Sequence, residues 1–156
     1  MNAKKHDGPI LVPVDFSPYS EAALIFGADL AACVDKPLLV LHVVHDPGEM
    51  PGYYNRALKK KQLQRIEDAA ADMLEEFLGK VRKRLPESSA LENAESVLVK
   101  GLPRSRILEV AERKQVGMIV MGSKGETGLK HLFLGSVAER VVQLASVPVT
   151  VVKTVK

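Results

Sequence analysis

The chain has 156 residues, 46% of them hydrophobic and 26% charged, with a formal net charge of +3. This is the profile of one soluble domain spanning residues 1–156, long enough to bury roughly 70% of the surface its unfolded form exposes. Cys33 is the only cysteine, so no internal disulfide can form and the reducing cytoplasm is the expected location.

Aromatic residues make up 4% of the chain and tryptophan is absent, a poor basis for stacking single-stranded nucleic acid. The positive balance suits small anions better than polynucleotides, and no nucleic-acid partner is expected. Lys4 and Lys5 precede an apolar stretch, but Pro13 interrupts it and Asp15 ends it, which excludes a secretory signal. The longest apolar run, Leu38 to Val44, contains His42 and falls far short of the roughly 20 residues a membrane span requires.

Ile10-Leu-Val-Pro-Val14 is β-branched and apolar, too short for a helix, and predicts a buried strand. Proline cannot donate to a ladder, so pairing is expected to end near Pro13, with a turn at Asp15-Phe16-Ser17. Ser17-Pro18 predicts an N-cap followed by proline at the first helical position. The helix would turn Ala23, Leu24, Ala28, Ala31 and Val34 inward and stop before Asp35-Lys36-Pro37. Leu38 to Val44 lacks alternation, as befits a central strand covered on both faces. His45 to Gly52 holds two prolines and two glycines and reads as a loop.

From about Asn55 to Leu85, a long amphipathic helix is predicted by Leu63, Ile66, Ala70, Met73, Phe77 and Val81. Its basic clusters, Lys59 to Lys61 and Lys80 to Arg84, flank acidic residues and read as a solvated face. Pro86 to Asn93 is expected to be a polar linker and Ser96 to Lys100 a strand halted at Gly101. Leu102-Pro103 opens another helix, with Ile107, Leu108, Ala111 and Val116 apolar. Gly117 to Met121 is the next strand, Ser136 to about Ala145 the last helix with Val137, Val141 and Leu144 inward, and Pro148 to Val152 the last strand.

This strict alternation implies a five-stranded parallel sheet, doubly wound, with helices on both faces. Ligands of such sheets sit beyond the carboxyl ends of the strands, where the strand order reverses. Asp15, His45 and Gly122 are thereby expected at one rim.

The segment from Gly122 to Ser136 carries the chemistry. Gly122 and Gly125 follow a strand and let backbone approach a phosphate without a Cβ between. Gly135-Ser136 opens a helix whose leading N–H groups and partial positive charge can receive an anion. Ser136 can cap that helix or bond a phosphate oxygen, and Ser123 can do the latter from the first turn. Lys124 and Lys130 either add charge or are solvated. Neither Gly-x-x-x-x-Gly-Lys-Ser/Thr nor Gly-x-Gly-x-x-Gly occurs, and the glycines alone are equally compatible with turns that bind nothing.

Gly122-x2-Gly125-x9-Gly135-Ser136 resembles the nucleotide-binding motif of the universal stress protein family. The likeness extends over Ile10 to Ser17, Leu41-His-Val-Val44, Leu134 to Val141 and Val147 to Val152. It implies a flavodoxin-like, adenine nucleotide α-hydrolase-like domain that binds ATP and dimerises through its final strand, Val149 to Val152. By the same resemblance Pro13, Val14 and Asp15 would line the adenosine pocket, with Asp15 near the ribose or a bound cation. Val43 would meet adenine through its backbone, while Met121 and Gly122 would border ribose and phosphates. Gly125, Gly135, Ser136 and Val137 would hold the phosphate chain, with Mg²⁺. The Pro47 to Tyr54 loop could partly cover the site.

No catalytic residue is assigned. His131 in its loop reads as surface decoration, His42 as a satisfied core histidine, and Asp15 is a single acid better suited to metal or ribose than to in-line hydrolysis. A response-regulator receiver would need paired acids after the first strand, where only Asp15 stands. The expected role is a nucleotide-dependent switch in stress response with at most slow ATP hydrolysis, acting on an unidentified protein partner. The alternative is a nucleotide-free dimeric interaction module of the same fold.

Overall fold

The computed structural model describes residues 6–45, 55–125 and 133–154, with residues 55–64 given by backbone alone. The Pro47 to Tyr54 loop, Lys130 and His131, and the side chain of Leu63, lie outside the described residues. The strands are β1 (Ile10–Val14), β2 (Leu38–Val44), β3 (Glu95–Lys100), β4 (Met118–Gly122) and β5 (Val149–Val152). The helices are α1 (Pro18–Val34), α2 (Asn55–Arg84), α3 (Ser89–Glu92), α4 (Pro103–Arg113) and α5 (Ser136–Leu144). Among the described residues, no helix is long and apolar enough to cross a membrane.

The strands pair in parallel in the order β3-β2-β1-β4-β5, a doubly wound α/β sheet of Rossmann/flavodoxin-like type. Side-chain alternation divides the core into two layers. Ile10, Val12 and Val14 meet Leu24, Leu74, Phe77, Leu78, Val81 and Leu91 from α1, α2 and α3. Leu11, Leu39, Leu41 and Ile119 point the other way, onto Ile107 and Val110 of α4 and Ala138 and Val141 of α5.

Four inward assignments fail. Val34 and Leu144 are exposed because each is the last residue of its helix, where the chain turns away; Asp35 takes a left-handed conformation with φ 53°. Ile66 and Met73 are also exposed, since α2 applies Ala70, Leu74, Phe77, Leu78 and Val81 to the sheet. The expected linker also contains a helical turn, α3. Ser88 caps it, accepting from the Leu91 N–H at 3.4 Å, and Leu91 is fully buried.

Pro13 shapes the sheet. The Ile10 N–H donates to Pro37 O just before β2, so Leu11 and Pro13, alternate along the strand, turn their backbone groups toward β4. β1 pairs with β4 at Ile10 and Leu11 only, whereas on the β2 side its register continues through Pro13 to Val14. The pairing of β1 with β4 ends where the missing N–H falls. The strand order also reverses there, so a crevice opens at the carboxyl end of the sheet.

Candidate functional site

Beyond β1 the chain reverses through Asp15-Phe16-Ser17 into α1. Phe16 adopts φ 67°, a left-handed conformation costing a bulky residue about 1–2 kcal/mol. Its ring stacks on His42 at 4.2 Å and meets Phe77 edge-on at 5.6 Å. His42 Nδ1 lies 2.8 Å from Val14 O, the satisfied histidine expected from its place in an apolar strand. Ser17 caps α1 as expected, its hydroxyl accepting from the Ser20 N–H at 3.2 Å. The same residue reaches back to Asp15: its N–H donates to Asp15 Oδ1 at 3.1 Å and its hydroxyl donates to the same oxygen.

Opposite this turn, the two glycine segments are clasped together by backbone. The Gly135 N–H donates to Ser123 O at 2.7 Å, and the Ser123 N–H donates to Val152 O at 3.0 Å. A Cβ at Gly125 would lie 2.9 Å from Asp15 Oδ2, and one at Gly135 would lie 3.3 Å from Lys124 Cα. Asp15, Gly125 and Gly135 therefore stand around one space. Gly122 serves a different purpose from the one its motif suggests. A Cβ there would lie 2.8 Å from the carbonyl carbon and oxygen of Tyr19, so this glycine admits the first turn of α1.

The space is a cavity of about 200 Å³, smaller than the roughly 300–1,000 Å³ of pockets that engulf a drug-sized ligand. Pro13, Val14, Asp15, Val43, Met121, Gly122, Lys124, Gly125, Gly135, Ser136 and Val137 all line it. Ser123 does not line it, because its side chain is buried while its backbone makes the clasp. Ser136 is the first residue of α5 rather than its cap; Gly135 holds the capping position, with no side chain over the leading N–H groups. His45, expected at the same rim, is exposed and off the cavity wall. Ser20, Leu41, Pro103, Ile107 and Ala138 complete the lining; none of the five is among the site residues expected from the sequence.

The model of the universal stress protein family matches residues 8–153, a span that contains every residue of the cavity wall. The chain belongs to the universal stress protein family. A universal stress protein of Methanocaldococcus jannaschii is 31% identical over 160 residues, covering 92% of this chain and 93% of that protein. The solved structure of the universal stress protein UspA from Lactobacillus plantarum matches with a TM-score of 0.78 at 26% identity, over 94% of this chain and 98% of that one. The universal stress protein from Archaeoglobus fulgidus, solved in complex with dAMP, shares the fold with a TM-score of 0.56 at 24% identity, over 92% and 96% of the two chains.

The lining of this universal stress protein's cavity mixes two kinds of surface. Leu41, Val43, Pro103, Ile107 and the Val137 side chain are apolar, whereas Asp15, Lys124, Ser136 and the glycine backbone are polar. The α5 N-terminus adds partial positive charge. A ligand with an apolar body and an anionic group satisfies both.

Proposed function

We propose that this universal stress protein binds an adenine nucleotide, ATP with Mg²⁺, and works as a homodimeric, nucleotide-dependent switch in stress response. The observation that supports this most is the convergence of Gly125, Asp15 and the α5 N-terminus on one cavity that Leu41, Val43 and Ile107 also line. In this reading the base lies against Val43 and the apolar lining, and Asp15 meets the ribose. Gly125, Ser136 and Val137 present backbone N–H groups to the phosphates, and Gly135, whose own N–H is bonded to Ser123 O, lets them approach without a Cβ between. The dAMP complex of the Archaeoglobus fulgidus relative is consistent with an adenine nucleotide in this fold.

Mg²⁺ would arrive with the phosphate chain. Among the described residues no cluster of three or more His, Cys, Asp or Glu could hold a metal, and Asp15 is the one carboxylate on the cavity wall. Asp15 as the acid among the described lining residues fits the expectation of hydrolysis that is slow at most. Occupancy would bridge Gly125 and Gly135 across the intervening segment and change the surface offered to a protein partner. The dimer contact is assigned to β5, an edge strand of the sheet.

The test is direct. Protein purified gently with Mg²⁺ and then denatured should release near-stoichiometric adenine nucleotide, and the stripped protein should bind ATP on titration. Gly125→Ala, which crowds Asp15, and Gly135→Val, which crowds the clasp, should each weaken ATP binding tenfold or more, by about 1.4 kcal/mol per decade. Wild-type affinity in both variants would remove the cradle. Neither released nucleotide nor ATP binding would leave the interaction module as the function.

A further inference from the structure

The turn ahead of α1 carries a hydrogen-bond arrangement that capping alone does not explain. Capping needs only that Ser17 Oγ accept from the Ser20 N–H, as it does at 3.2 Å. With that lone pair engaged, the hydroxyl proton turns to Asp15 Oδ1, which also receives the Ser17 N–H at 3.1 Å. Two donors on one carboxylate oxygen fix the plane of the group. Ser20 adds a second restraint: its hydroxyl donates to Ser17 O at 3.1 Å and accepts from the Asp15 N–H at 3.2 Å. Both serines are buried, which limits the access of water to their hydroxyls. With Oδ1 held on the α1 side, Oδ2 faces Gly125, where an added Cβ would come within 2.9 Å.

Resting on the proposed nucleotide site, we infer that Ser17 is a positioning residue: it aims the Asp15 carboxylate into the cavity as well as capping α1. Ser20 holds the Asp15 backbone, and Phe16, at φ 67°, closes the turn between Asp15 and Ser17. The carboxylate is thus oriented before any ligand enters, which lowers the ordering cost of binding.

The experiment is a double-mutant cycle, with ATP and Mg²⁺ as the probe in calorimetric titrations and thermal melting run on each variant. Asp15→Ala should weaken ATP binding. Ser17→Ala should weaken it about tenfold in the wild-type background, the scale of a hydrogen bond to a charged group, and change it less than about twofold when Asp15 is already Ala. Ser17→Thr keeps the hydroxyl and should restore both the cap and the affinity. Loss of the cap lowers the melting temperature in either background, so melting separates the structural role from the positioning one.

Equal loss of affinity from Ser17→Ala in both backgrounds would overturn the positioning role and leave the Asp15 contact standing. Wild-type affinity in Ser17→Ala, with Asp15→Ala impaired, would overturn it as well. Wild-type affinity in Asp15→Ala would overturn the Asp15 contact itself and the inference that depends on it.

Discussion

A methyl group added at Gly122 and one added at Gly125 would report on different parts of the molecule. At Gly122 the new Cβ would meet the Tyr19 backbone at 2.8 Å, and a helix backbone cannot yield as a side chain does. Gly122→Ala should therefore cost about 1–3 kcal/mol of stability, as overpacking does, in urea denaturation. At Gly125 the obstacle is the end of the Asp15 side chain, so Gly125→Ala should spare the fold and damage binding. Gly79, inside α2 with nothing within 4 Å of a new Cβ, is the control: Gly79→Ala should stabilise by roughly 0.5–1 kcal/mol. The motif spacing made Gly122 and Gly125 look equivalent, because spacing records where a glycine is needed and not what approaches it. Ser123 is the same lesson reversed: it sits in the motif, yet its contribution is two backbone bonds, to Gly135 and Val152. Leu41 and Ala138 lie in segments that carry the family likeness and Pro103 does not, yet all three become cavity wall only through the packing of β2, α4 and α5.

Among the elements, the apolar period of α2 was legible, but the orientation of its face was not. Ile66, Ala70, Met73, Phe77 and Val81 form one acceptable helical stripe, and Ala70, Leu74, Phe77, Leu78 and Val81 form another, rotated slightly about the axis. The sheet selects the second, because Phe77 must reach Phe16 and Leu78 fills the layer over β1. Leu78→Ala should then cost about 2–5 kcal/mol, as fully buried leucines do. Met73→Ala, half exposed at 50%, should change stability by less than about 0.5 kcal/mol. Equal effects in thermal or urea unfolding would mean that α2 sits in another rotation. The turn α3 escaped detection for a related reason: one buried leucine in a polar stretch has no period, and its Ser88 cap works over a single turn.

For the whole molecule, alternation of elements announced a parallel sheet, and Pro13 announced where pairing would weaken. The side of the strand on which it weakens required the strand order, which no local pattern holds. Because Pro13 turns toward β4, the weakness lies at the reversal of winding and becomes the crevice. The same parity reasoning applies to the edge. Pro148 O and Val152 O both accept from the β4 side, from the Ile119 and Ser123 N–H groups. Val149 and Val151, alternate to them, therefore turn their backbone N–H and C=O groups outward, where a second copy of β5 could pair. Val151→Pro removes an outward donor and puts a ring in its place while keeping the bonds to β4, a substitution edge strands tolerate. Wild-type protein at micromolar concentration should sediment as a dimer and Val151→Pro as a monomer. Val151 is off the cavity wall, so the monomer should bind ATP with affinity close to wild type. A monomeric wild type would remove the dimer from the proposal, and a variant that still dimerises would move the contact away from β5. A monomer that no longer binds ATP would mean that the Val152–Ser123–Gly135 chain of backbone bonds couples assembly to the nucleotide site.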